Sequence, residues 1–357
     1  MTWVPSSATI IQRVPKSDKA PHGAINVTDI PVNTPAFVVF GGELTVNARG
    51  ANSYAKILKN ALAENGVFGI NVYSVAYRFG SRNPVVERTE QFKIAGRRLR
   101  QGPIVQDQYK KVMLEMRANE SVPNYVQQLF DILLRPRIVD ANGGRVSPND
   151  AMKNLQRIKF FTHCHGASVV WQMGNLMADE MLHLGYTAND IHAIQQELVV
   201  IQHNPVAPLT KQRFNAISFA SAEDTMMRNH NNLFADWMYE NSADIVPCFF
   251  DSEYGKIFIG GHLKELAFKE HDLTGLLKSD DEKWPLTPDG EIIFGAERNA
   301  LARAAQSAIN GTAVMSVDQL VDGNGIDTDS LRRNGEMLYN IMLADIRQQM
   351  KARGNQK

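Results

Sequence analysis

Lys159-Phe160-Phe161-Thr162-His163-Cys164-His165-Gly166-Ala167-Ser168 is the stretch on which the fold turns. An apolar run over 158–162 has the length and the aromatic and β-branched content of a buried strand. A residue with a nucleophilic side chain follows it, and a helical pattern over 167–184 starts at once. Strand, tight turn and helix are therefore compressed into a few positions, with Cys164 at the bend.

Working outward, the same grammar recurs. Short apolar runs at 36–40, 70–77, 197–201, 214–220 and 256–260 read as strands, the first stopped by Gly41-Gly42. Helical periodicity lies between them, at 52–65, 122–134, 151–156 and 231–239, and again at 296–310 and 329–350. Strands alternating with helices predict an α/β fold, a mostly parallel sheet covered by helices on both faces. Residues 1–33 are rich in Pro, Ser, Thr and Asn without periodicity and read as an extended or mobile N-terminal arm. Residues 34–312 read as one domain, with 80–140 as a cap or insertion, and 313–357 as a helical C-terminal appendage.

Composition excludes several classes. The 38 basic and 38 acidic side chains balance, so no overall basic field points to nucleic acid. No stretch approaches the roughly 20 apolar residues that span a bilayer, and no basic-then-apolar leader opens the chain. Two cysteines, Cys164 and Cys248, in 357 residues fit a reducing compartment. The expectation is a cytoplasmic protein; secretion without a cleaved signal leaves no mark to read. Gly41-Gly42 lacks the further glycine and the Lys-Ser/Thr ending of a phosphate cradle, so no cofactor is expected.

The chemistry sits at the bend. A turn this tight needs small residues two before and two after its apex, here Thr162 and Gly166. It lifts the apical side chain off the sheet edge and aims the positive end of the next helix at it, which favours a thiolate. The segment resembles the nucleophile elbow of the α/β-hydrolase superfamily, in the variant with cysteine in place of serine found in dienelactone hydrolases and polyester synthases. The resemblance implies a Cys-His-Asp triad. Cys164 is the nucleophile, and the strand at 214–220 leads to the acid, Asp224. The base comes later in the chain, either His271 in a polar segment or His262 after the apolar run at 256–260. Asn241-Ser242-Ala243-Asp244 resembles the acid-bearing segment of class 3 lipases and makes Asp244 an alternate. The resemblance also places the oxyanion hole at the amides of Gly42 or Glu43 and of His165, with His163 and Gly166 shaping the pocket. The implied reaction is hydrolysis or acyl transfer on an ester, thioester or amide, with a small-molecule or acylated substrate and a covalent acyl-enzyme.

Two other readings stand beside this one. The chain could be a non-catalytic α/β-hydrolase-like module that binds a protein partner. Alternatively, Thr162-His163-x-His165 resembles the start of the metallo-β-lactamase-like signature, and alternate positions on an extended segment put both imidazoles on one side, as a metal-dependent hydrolase needs. Ala167 and Ser168 stand where that signature has further ligands, so no metal is assigned.

Overall fold

A computed structural model describes residues 8–42, 45, 48–77, 124–203, 205, 207, 212–220, 248–250, 295–313 and 316–321, with five isolated positions near the C-terminus. The expected helix at 231–239, the strand candidate at 256–260 and nearly all of 329–350 lie outside the described residues.

The chain runs β1 (Ala8–Arg13), β2 (Ala24–Val27), β3 (Ala36–Phe40), α1 (Ala48–Glu64), β4 (Asn71–Tyr77), α2 (Asn124–Leu133), α3 (Arg135–Ile138) and α4 (Pro148–Gln156). It continues through β5 (Ile158–His163), α5 (Gly166–His183), α6 (Ala188–Gln196), β6 (Val199–His203), β7 (Asn215–Ala220), β8 (Cys248–Phe250), α7 (Gly295–Asn310) and α8 (Val317–Val321). Among the described residues the strands form one 8-stranded sheet in the order β2-β1-β4-β3-β5-β6-β7-β8. From β4 to β8 all neighbours are parallel, and only β1 runs antiparallel to its neighbours β2 and β4. The result is an α/β fold, a mostly parallel sheet with helices on both faces.

Burial explains the strand composition. Every residue of β3, β5 and β6 is buried, because helices cover both sheet faces and leave no polar side. Successive side chains go to opposite layers. Val38, Phe40, Phe160 and Val200 join α2, α4 and α5 through Leu129, Leu155, Val170 and Met173. Phe37, Val39, Phe161 and Ile201 join α1, α7 and α8 through Leu58, Leu301, Leu320 and Val321. Among the described residues no helix is long and apolar enough to cross a membrane.

Three boundaries differ from expectation. Residues 8–27 supply β1 and β2 instead of an arm: Ile10 and Ile11 are buried and β1 zips onto β4 from Ala8↔Tyr77 to Gln12↔Tyr73. Backbone pairing to an edge asks little of side-chain pattern, which hid these strands among Pro and Ser. Within 80–140, α2 and α3 belong to the main body, because Tyr125, Val126, Leu129 and Leu133 pack directly on the sheet. At the other end, α8 closes the second layer with fully buried Leu320 and Val321, so the domain continues past 312. Helix α6, absent from the sequence reading, starts on a capping box in which Thr187 and Asp190 satisfy each other's backbone amides. Among the described residues the last strand is β8, at 248–250, which the sequence reading did not single out.

β5 carries one charged side chain into the core. Lys159 is fully buried and its Nζ donates to the Glu197 carbonyl at 3.1 Å. Burial pushes its ammonium down to about 8. An unfolded chain holds that proton up to the ordinary lysine range, so the folded state binds fewer protons between about pH 8 and 10.5, and stability rises with pH across that window. The rise should amount to a few kcal/mol at most, about 1.4 per unit of displacement. Urea titrations of wild type and Lys159→Met at pH 7, 9 and 10.5 check this: the difference between them should shrink as pH increases, with the substitution most favourable at pH 7.

Candidate active site

From Ile158 through Gly174 every residue is buried except Cys164, which is partly exposed. Cys164 also has φ 52°, the only non-glycine in the left-handed region among the described residues. Such a backbone costs a residue with a Cβ about 1–2 kcal/mol, so something must hold it there. Its N–H donates to the His203 carbonyl at 3.1 Å, the last rung between β5 and β6, while its own carbonyl accepts from Ala167 N at 3.2 Å and opens α5. Strand and helix are thus both anchored to the apex.

Gly166 explains why the chain must turn there. A Cβ on it would stand 2.2 Å from the Phe40 carbonyl oxygen and 2.7 Å from its carbon, at the end of β3. Only a bare Cα lets α5 start this close to the neighbouring strand. The first turn of α5 holds no acidic residue, so no side chain there offsets the positive end of the helix below the thiol. Thr162 is fully buried and pairs with Phe40 across the sheet.

The loop after β3 closes over the apex. A Cβ on Gly42 would lie 3.3 Å from the Cβ of Cys164 and 3.3 Å from Nδ1 of His163. Thr45 N donates to the Gly42 carbonyl at 3.0 Å, and the Thr45 hydroxyl reaches the same oxygen. The Tyr77 hydroxyl donates to the Gly41 carbonyl. The Gly42 amide donates to the Tyr54 hydroxyl at 3.3 Å. That amide, one of the expected oxyanion donors, is therefore turned toward α1, and Glu43 lies outside the described residues.

His163 and His165 part company at the apex. His163 continues the β5 alternation on the Phe161 side, where its Nδ1 is 2.7 Å from the Tyr54 hydroxyl oxygen on α1. His165 packs near the Tyr77 ring, 6.0 Å between centroids, on the layer that Tyr125 shares. The left-handed residue between them breaks the extended geometry that would have put both rings on one side, so they do not converge on one ion. Among the described residues no group of three His, Cys, Asp or Glu is placed to hold a metal.

A buried polar pair that sequence reading missed lies beside His163. His203, in register with His163 on β6, has its ring 5.4 Å away. Its Nδ1 is 2.9 and 3.0 Å from the two carboxylate oxygens of Glu297 on α7, with both side chains essentially without solvent exposure. A carboxylate only accepts, so Nδ1 carries the hydrogen and donates. In sequence His203 closes an apolar run and Glu297 looks like an ordinary acid in a helix first turn; nothing local joins positions 94 apart.

Gly42, His163, Cys164, His165 and Gly166 are thus brought together at the C-terminal edge of the sheet. Asp224, Asp244, His262 and His271 lie outside the described residues.

No protein-family model and no curated protein matches the chain. Among solved structures, a protein of Lactobacillus plantarum WCFS1 whose assignment as a carboxylesterase is itself provisional is similar at 13% identity, over 70% of this chain and 90% of its own, with a TM-score of 0.30.

The backbone at the apex makes two substitutions informative. Gly166→Ala should destabilise the fold by about 1–3 kcal/mol or more, because the Phe40 backbone cannot move aside. Cys164→Gly should be more stable than Cys164→Ala by about 1 kcal/mol, reversing the usual order of these residues, because only alanine retains the left-handed strain. Chemical denaturation midpoints at constant slope measure both.

Proposed function

We propose that the chain is a hydrolase or acyltransferase that uses Cys164 as nucleophile on an ester, thioester or amide. The observation that carries this reading is a partly exposed cysteine with left-handed backbone between a fully buried strand and the bare first turn of a helix. A cysteine that merely filled space would be expected to face inward in an unstrained conformation. The strained apex and the helix terminus both favour an exposed, ionised sulfur.

In the proposed reaction the base takes the thiol proton and the sulfur attacks the carbonyl carbon, whose oxygen becomes an oxyanion. Collapse expels the leaving group, which takes the proton from the base and leaves an acyl-enzyme. Water, deprotonated by the same base, then releases the acid and restores the thiol. Asp224 and His271 remain the proposed acid and base, with Asp244 and His262 as alternates. Their chain positions agree with the topology: β5, β7 and β8 are parallel, so all three end at the sheet edge where Cys164 stands. Asp224 comes four residues after β7 ends, and His262 and His271 fall between β8 and α7. Since the Gly42 amide is held by Tyr54, the amides of Glu43 and His165 are the proposed oxyanion donors. Substrate is proposed to be a small-molecule or acylated compound.

Alkylation by iodoacetamide, followed by peptide mapping across pH 4–10, tests the nucleophile. Cys164 should react with a midpoint below the ordinary thiol range of about 8.5, its rate flat above that midpoint and falling below it. Cys164→Ala should lower turnover of p-nitrophenyl acetate by roughly a thousandfold. A Cys164 that alkylates no faster than a free thiol at neutral pH would sink the proposal. Comparing His271→Ala with His262→Ala in the same assay identifies the base.

A further inference from the structure

Resting on the proposed nucleophile, we propose that Tyr54 is a positioning residue: its buried hydroxyl ties the loop over Cys164 to the strand beneath it and so holds the oxyanion side of the site in register with the sulfur. The Tyr54 hydroxyl accepts from the Gly42 amide at 3.3 Å and lies 2.7 Å from His163 Nδ1. The hydroxyl oxygen accepts from the amide and shares a second hydrogen bond with the imidazole, so both groups are held by the same atom. One oxygen therefore bridges the residue two positions after β3 and the residue immediately before the nucleophile.

Behind this bridge stands a rigid support. The His163 ring lies 5.4 Å from the His203 ring, whose Nδ1 is held by Glu297, and the His203 carbonyl receives the N–H of Cys164. Two helices that share a layer, α1 and α7, thus each send one polar side chain to the strand ends on either side of the apex. Tyr54 is only 6% exposed and His163 likewise, so the bridge is shielded from water, which strengthens it. Gly42 must sit close, since even a methyl at its Cα would crowd both Cys164 and His163 at 3.3 Å. A small shift of this loop displaces any oxyanion donor that follows Gly42, and acyl transfer is sensitive to shifts well under 1 Å.

Two reactions of the same sulfur separate positioning from general damage. Attack on an ester builds an oxyanion; displacement of iodide from iodoacetamide does not. Tyr54→Phe keeps the ring and removes the hydroxyl. It should lower kcat for p-nitrophenyl acetate by about tenfold, with KM within about twofold and the Cys164 alkylation rate within about threefold of wild type. Thr45→Val, which removes the hydroxyl reaching the Gly42 carbonyl, should show the same selective loss to a smaller degree, and it decides the matter should Tyr54→Phe not fold. Equal losses in both reactions, or loss in neither, overturn the proposal while leaving the nucleophile intact. Wild-type protein that neither turns over the ester nor alkylates rapidly overturns the nucleophile and this inference with it.

Discussion

The approach of Gly166 to the end of β3 is the constraint from which the rest of the site follows. Helix α5 begins against the Phe40 carbonyl, closer than any side chain would permit. The chain can reach that point from the end of β5 only by reversing sharply. The reversal puts Cys164 into a left-handed conformation, with its amide pinned to β6 and its carbonyl already committed to the helix. The strain is local, and the surrounding structure over-determines it: buried residues flank the apex on both sides, so relaxing the turn would expose or misplace them. Energy stored in one backbone torsion thereby becomes exposure of one sulfur.

The layer formed by α1 and α7 does more than cover the sheet. Along the sheet the two helices present aliphatic side chains, among them Ala55, Leu58, Leu301 and Ala304. At the C-terminal edge the same two helices contribute Tyr54 and Glu297, and the strand ends answer with His163 and His203. Burying a carboxylate is expensive unless it is hydrogen-bonded; here both of its oxygens face one imidazole nitrogen, and its place in the first turn of α7 adds favourable backbone dipoles. The pair fixes the start of α7 against the end of β6. The opposite layer treats its histidine differently, packing His165 near the Tyr77–Tyr125 stack. A single residue of reversed handedness therefore assigns two neighbouring imidazoles to two different environments.

Much of the architecture was legible because it depends on periodicities that the chain displays locally. Full burial of β3, β5 and β6 demanded continuous apolar runs, and those runs stand out. Cys164 was legible for a related reason: a reactive side chain between a buried strand and a helix, with glycine two positions on, has few structural explanations. The antiparallel strands β1 and β2, at one end of the sheet, were not legible, since their backbone pairing needs no particular side chains beyond Ile10 and Ile11. The reading of His163 and His165 as same-side neighbours failed because it assumed an extended backbone through Cys164, whereas the turn itself breaks the alternation.

By itself, then, the sequence determined the alternation of strands and helices, the place of the bend and the glycine that permits it, because each is set by the intrinsic geometry of a few consecutive residues. Only the tertiary structure decided that Tyr54 meets His163 across 109 positions and that His203 meets Glu297 across 94. Those meetings depend on which helices share a sheet face and at what height each docks. Packing of the entire chain sets those quantities, and no local spacing encodes them.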